Sequence, residues 1–177
     1  MPQKNYKLLK TKLKKIKLLA FDVDGVLTDN TVFIGDGKNE FKRFCIADGM
    51  AVYLARRAGI ETAFISGRYS IATVKRAKEL KIKDIYQKAE PKRISFEKLL
   101  KKHRLEAGEV AFMGDDVIDV PLMKLAGVSA TVPHAPEYVK AFADIVTVKP
   151  AGLGAAREFV DMILTAKGLS PLELTIK

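Results

Sequence analysis

Short apolar runs that end in carboxylates recur along this chain, each followed by a stretch with helical spacing, and that alternation leaves few folds open. The first run, residues 17–23 (KLLAFDV), is followed by others at 61–66, 84–87, 109–114 and 127–132, with 144–148 as a sixth candidate. Helical patterns separate them at 48–58, 70–80, 91–104, 117–126, 136–142 and 154–167, several closed by a glycine such as Gly59, Gly127 or Gly168. Runs this short and this apolar are strands covered on both faces. The expected fold is therefore α/β: a doubly wound, Rossmann-like parallel sheet with helices on both faces, whose ligands bind beyond the carboxyl ends of the strands. The exception is 31–46, where two strand-like runs (TVFIG and EFKRFCI) flank Asp36, Gly37, Lys38 and Asn39 and predict a projecting β-hairpin.

The 177 residues amount to a single domain, 1–177, with neither a repeat nor a linker. No window approaches the 18 apolar residues of a membrane span, and the Lys-rich start lacks the apolar segment of a secretory signal, so a cytoplasmic protein is expected. One cysteine, Cys45, and two histidines, His103 and His134, cannot build a four-ligand zinc site, which leaves oxygen donors for any metal. The net charge of +10 is unevenly spread: residues 1–17 hold seven lysines and no acid, and 75–104 hold twelve basic and four acidic residues. Leu9, Leu13 and Ile16 give the lead, 1–16, the spacing of a basic amphipathic helix. A lysine face over an apolar stripe packed on the domain accounts for it, and without aromatic or Arg/Gly interleaving no nucleic-acid partner is expected.

Two acidic motifs sit where strands end. In DVDGVLTD, residues 22–29, Gly25 lets the backbone turn directly after Asp22 and Asp24, crowding both carboxylates into one pocket. Chains shuffled from this composition contain a D-x-D-G about one time in twenty, whereas G-D-D-x-x-D, realised in GDDVID at 114–119, arises about three times per thousand. Asp115, Asp116 and Asp119 of that motif follow the apolar strand EVAFM. A parallel sheet brings such clusters to one edge, where they make a hard-oxygen site suited to Mg2+ and phosphate. Two further strand ends offer Ser66 in SGR and Lys92. Taken singly, Ser66 reads as an ordinary helix N-cap and Lys92 as a surface lysine; their meaning lies in the order Asp/Asp, Ser, Lys, Gly-Asp-Asp at four successive strand ends.

That order resembles the four motifs of the haloacid dehalogenase (HAD) superfamily of phosphotransferases. DVDGVLTD, the hairpin running into FKRF…DGM, SGR, GDDVIDVPLM and AGLGAARE are together similar to the 3-deoxy-D-manno-octulosonate 8-phosphate (KDO 8-phosphate) phosphatases. The resemblance implies a phosphomonoester hydrolase that makes KDO for lipopolysaccharide synthesis, with Asp22 as nucleophile and Asp24 as general acid, then base. It implies Mg2+ held by Asp22, the Asp24 carbonyl and Asp115, with Asp116 and Asp119 nearby, and Ser66 and Lys92 on the phosphoryl oxygens. Gly67, Arg68, Lys42, Arg43 and Asp48 are the candidate substrate contacts, although Lys42 and Arg43 also read as ordinary hairpin surface. Ala47, Lys88 and Leu153 stand where relatives often carry other residues, so a nine-carbon 2-keto acid 9-phosphate remains an alternative substrate. A non-catalytic accessory subunit is the alternative from another class.

HAD caps lie between the first and second or the second and third motifs. Here 36 residues separate Asp29 from Ser66 and 25 separate Ser66 from Lys92, and both stretches are taken up by core elements, so no cap domain is expected. Substrate selection then requires contacts from outside a small open core. Val32, Phe33, Ile34, Phe41, Phe44 and Ile46 make the hairpin apolar, which predicts subunit association, and the resemblance implies a homotetramer. It also implies that the tail, 168–177, reaches toward a neighbouring site.

Overall fold

Helix α1 (Gln3–Lys15) leads into β1 (Leu18–Phe21), then into the short strands β2 (Phe33–Ile34) and β3 (Glu40–Phe41), helix α2 (Ile46–Arg57) and β4 (Glu61–Ile65). There follow α3 (Ile71–Glu79), β5 (Asp84–Tyr86), α4 (Lys92–His103), β6 (Val110–Met113), α5 (Val120–Leu125), β7 (Val128–Thr131), α6 (Glu137–Lys140), β8 (Ile145–Val146), α7 (Ala155–Ala166) and α8 (Pro171–Ile176). This is a computed structural model describing residues 3–36 and 39–176. Met1 and Pro2 of the lead, Gly37 and Lys38 of the expected turn, and Lys177 of the tail lie outside the described residues.

Six strands form one parallel sheet in the order β5-β4-β1-β6-β7-β8. All four residues of β1 are buried, as are those of β6 and β7, which matches strands sandwiched between helical layers. The chain runs outward from β1 through β4 to β5, then returns to the other side of β1 at β6, so crossovers on the two sides lie on opposite faces. Accordingly α2 and α1 pack on α7, and α4 packs on α5. The reversal between β1 and β6 is the switch point of a doubly wound sheet, where a crevice opens beyond the strand ends. The 144–148 run pairs only through β8, whose Ile145 and Val146 lie beside Ala130 and Thr131.

The basic lead is a packed helix. Leu13 and Ile16 are buried, while Lys12 pairs with Asp144 at 3.1 Å and Lys17 with Glu109 at 2.6 Å. The hairpin is shorter than expected, pairing only Phe33 with Phe41 and Ile34 with Glu40. Beyond Phe41 the second arm leaves the ladder, the side chains of Lys42 and Phe44 point inward, and Ile46 already begins α2. Phe33, Ile34 and Phe41 stay 63%, 81% and 65% exposed, so this face does not fold back onto its own core. Among the described residues the spans from Asp29 to Ser66 and from Ser66 to Lys92 hold only the hairpin, α2, α3 and sheet strands, with no cap domain.

Candidate active site

The loop after β1 is fixed at its first residue. Asp22 donates its backbone N–H to the Met113 carbonyl of β6 at 2.9 Å, and Leu27 and Thr28 donate to the Val23 carbonyl at 2.9 and 3.1 Å, closing a tight turn. The Thr28 hydroxyl accepts from the Gly25 N–H. Gly25 is required twice over: its φ is +82°, and a Cβ there would lie 2.0 Å from Asp115 Oδ2. The missing side chain lets the loop after β1 press against the loop after β6.

The second loop is organised by Asp119, which is fully buried at the start of the α5 turn. One of its oxygens accepts from the Asp115 and Asp116 backbone N–H groups, at 3.1 and 3.2 Å. Asp116 itself caps the short turn Val117–Asp119 that precedes α5, accepting from Val117 N–H, and lies outside the acidic cluster. Lys92, in the first turn of α4, is buried rather than a surface lysine: its Nζ is 2.9 Å from Asp22 and 2.6 Å from Asp119. Asp22, Asp115 and Asp119 all bring carboxylate oxygens within 4.8 Å of one another, so three buried acids face one ammonium. Burial and then the neighbouring Asp22 and Asp119 charges push Asp115 up to about 8. Asp22 rises to about 7, again chiefly by burial and then by Asp119, with Lys92 opposing. Burial alone would lower the Lys92 ammonium, but Asp22 and Asp119 hold it above its ordinary value. The surplus of negative charge on hard oxygen donors fits a divalent cation such as Mg2+.

Ser66 directly follows β4 and is buried, but it is not the N-cap of α3; Ser70 is, accepting from Thr73 N–H. The loop carrying Ser66 is laced to the β5 end by Ser66 N–H to the Tyr86 carbonyl and Ala89 N–H to the Ser66 carbonyl. Next to Gly67, Arg68 is half-exposed and pairs with Glu40 of the hairpin at 3.0 Å. Lys88, at the left-handed φ of +52°, sets its ammonium 5.8 Å from the Tyr69 ring centre in the same rim. Arg43 is exposed and pairs with Asp29 at 2.7 Å.

Two of the expected substrate contacts are engaged elsewhere. The Lys42 side chain is fully buried, 2.7 Å from Asp24, and is no ordinary hairpin surface residue. Sequence reading missed this because alternation along a strand does not say which face is covered. The Asp48 carboxylate is buried and accepts the Gly154 and Arg157 N–H groups at the start of α7, at 3.3 and 2.9 Å. Burial raises Asp48 despite those bonds. Its task is to tie α2 to α7, a long-range contact that a single sequence does not display. A cleft of about 720 Å3 runs along the inner edge of the hairpin, lined by Glu40, Lys42, Tyr69 and Arg76 among others. Another, of about 780 Å3, opens between α1 and α7, lined by Leu9, Leu13, Leu153 and Met162 among others; neither cleft is lined by the acidic cluster.

Residues 65–158 match the family model described as haloacid dehalogenase-like hydrolase. The chain is 39% identical over 158 residues to the 3-deoxy-D-manno-octulosonate 8-phosphate phosphatase KdsC of Salmonella typhi, covering 89% of this chain and 84% of that relative. Among solved structures it is similar to the 3-deoxy-D-manno-octulosonate 8-phosphate phosphatase of Moraxella catarrhalis in complex with magnesium, phosphate and KDO. That likeness has a TM-score of 0.91 at 35% identity and covers 96% of this chain and 98% of the other. The cobalt-bound phosphatase of Haemophilus influenzae aligns with a TM-score of 0.88 at 35% identity, covering 94% and 99%.

Proposed function

Since the chain belongs to the haloacid dehalogenase-like hydrolases, we propose that it hydrolyses 3-deoxy-D-manno-octulosonate 8-phosphate to KDO and inorganic phosphate, with Asp22 as the phosphoryl acceptor. The observation that carries this reading is the Lys92 ammonium, buried between Asp22 and Asp119 at 2.9 and 2.6 Å. A buried lysine so placed holds the nucleophile in one orientation and presents positive charge where phosphoryl oxygens gather. Mg2+ is the cofactor the donor set fits: Asp22, Asp115 and the Asp24 carbonyl would hold it, with Asp119 behind them, and when bound it offsets the charge of the carboxylates and the phosphate.

The protein's own groups divide the rest of the reaction. The Asp22 carboxylate attacks phosphorus, and Asp24 gives its proton to the departing sugar oxygen. Asp24 then takes a proton from the water that attacks the aspartyl-phosphate, which returns Asp22 and releases phosphate. Ser66 and the backbone N–H groups beside it bind phosphoryl oxygens. The sugar acid lies along the hairpin cleft, where Lys75 is a solvent-exposed lining cation and Arg68 is tied to the lining Glu40. We place the enzyme in the cytoplasm as a homotetramer joined through the hairpin, a reading supported by the exposed Phe33, Ile34 and Phe41.

The test is phosphate release with Mg2+ from KDO 8-phosphate, a nine-carbon 2-keto acid 9-phosphate and p-nitrophenyl phosphate, with Asp22→Asn as control. Selective release from the first, lost in Asp22→Asn, is the expected result. Preference for the nine-carbon ester would change the substrate and keep the chemistry. Absence of Asp22-dependent release from all three would leave an accessory subunit.

A further inference from the structure

We propose that Lys42 is a positioning residue for the acid–base carboxylate of Asp24, an inference that rests on the phosphatase reading above. Lys42 leaves an arm whose neighbours Phe41 and Arg43 are exposed, yet its own side chain is fully buried. Its Nζ lies 2.7 Å from Asp24 Oδ1 and 2.9 Å from Oδ2, so a single ammonium grips both oxygens. Thr73 Oγ1 lies at 3.5 Å and Glu40 Oε1 at 3.8 Å. Glu40 Oε1 has no hydrogen-bond partner among the described residues, while its other oxygen is held by Arg68 after β4.

Burying an ammonium and ordering four side-chain torsions is unfavourable unless strong partners meet it. The hydrogen-bond acceptors here are the two Asp24 oxygens and the Thr73 hydroxyl, with the Glu40 carboxylate adding a nearby opposite charge without a hydrogen bond. A substrate carboxylate would have to displace one of them from a side chain with no exposed surface. Asp24, by contrast, sits at the rim of a turn whose backbone is fixed, with its carboxyl torsion still free. Gripping both oxygens fixes that torsion, and proton transfer to a leaving oxygen depends on such alignment. The hairpin therefore contributes to the first chemical step through one lysine.

The experiment compares kcat/KM of wild type and Lys42→Met on p-nitrophenyl phosphate, a neutral sugar phosphate and the sugar-acid phosphate. This ratio reports only steps up to departure of the leaving group, and nitrophenolate departs without a proton. The expected result is a fall of about 100-fold on both sugar esters, within the span of general acid catalysis, and of less than about threefold on the nitrophenyl ester. In an Asp24→Asn background Lys42→Met adds less than about threefold, because it acts through the missing acid. Lys42→Arg recovers part of the loss on both sugar esters and serves as the comparison if Lys42→Met does not fold. Loss confined to the sugar acid, with raised KM, would assign Lys42 to the substrate carboxylate and overturn the proposal. So would equal loss on all three esters, or full additivity with Asp24→Asn, either of which marks a structural role. A wild type without Asp22-dependent release fails the phosphatase reading itself, before any Lys42 variant is compared.

Discussion

A methyl group at position 25 would meet the Asp115 carboxylate at 2.0 Å on a backbone already at φ +82°, so this glycine sets how closely the two acidic loops approach. Gly25→Ala is expected to lower stability by roughly 2 kcal/mol or more, combining left-handed strain with the displaced carboxylate. It should also weaken Mg2+ binding, as read by denaturant midpoints without metal and by metal titration; an unchanged midpoint would refute the close approach. The same carboxylates govern the response to pH. Burial, aided by Asp119, lifts Asp22 to about 7, and burial aided by Asp22 and Asp119 lifts Asp115 to about 8, from an ordinary 3.8. Between the ordinary and raised values the folded chain keeps protons that the unfolded chain has lost, so the metal-free protein loses stability as pH rises through that window. Its melting temperature should be higher at about pH 5.5 than at about pH 8.5, and saturating Mg2+ should remove most of the difference while releasing protons near pH 7. A pH-indicator titration and melting curves with and without chelator check both; flat curves without metal would contradict the burial argument.

At the scale of elements, the strands that carry the site were legible because a buried parallel strand is a short apolar run with punctuated ends. The runs at 17–23 and 109–114 became β1 and β6 within a residue or two, and with them Asp22 and Asp115 came to one edge. What the sequence concealed were side chains whose surroundings are distant along the chain. EFKRFCI reads as a continuing strand, but only Glu40 and Phe41 pair; Lys42 turns to Asp24 and Phe44 packs beneath Arg76. Asp48 reads as a candidate substrate contact at the start of a helix, and the partners that engage it lie at the start of α7, more than a hundred residues on. Ser66 and Ser70 both precede α3, and only the extended backbone at Ser70 with its bond to Thr73 N–H decides the cap. The outward hairpin face, not the inward one, carries the assembly proposal. Replacing Phe33 and Phe41 together by serine should reduce the sedimentation coefficient to that of a smaller species, with turnover of p-nitrophenyl phosphate retained. An unchanged coefficient would remove the hairpin from the interface.

For the whole molecule, part of the positive charge behind the net +10 is met by acids packed beside it. Lys12 and Lys17 of the lead pair with Asp144 and Glu109, and Lys102 and His103 at the end of α4 pair with Asp84. The expected outcome on an RNA or heparin column is elution below physiological salt; retention above it, with a steep dependence on salt concentration, would show a nucleic-acid surface. The strand order has a consequence for how such a chain is made. β1, placed at the centre of the sheet, leaves the ribosome before both of its neighbours, and Leu18 must wait for Glu61 on one side and Val110 on the other. Until β6 emerges, the newborn polypeptide holds a half-covered apolar strand ending in Asp22, with Asp119 still to come. Completion of the sheet's centre therefore waits for β6, and the reactive pocket closes only once Asp119 has joined it.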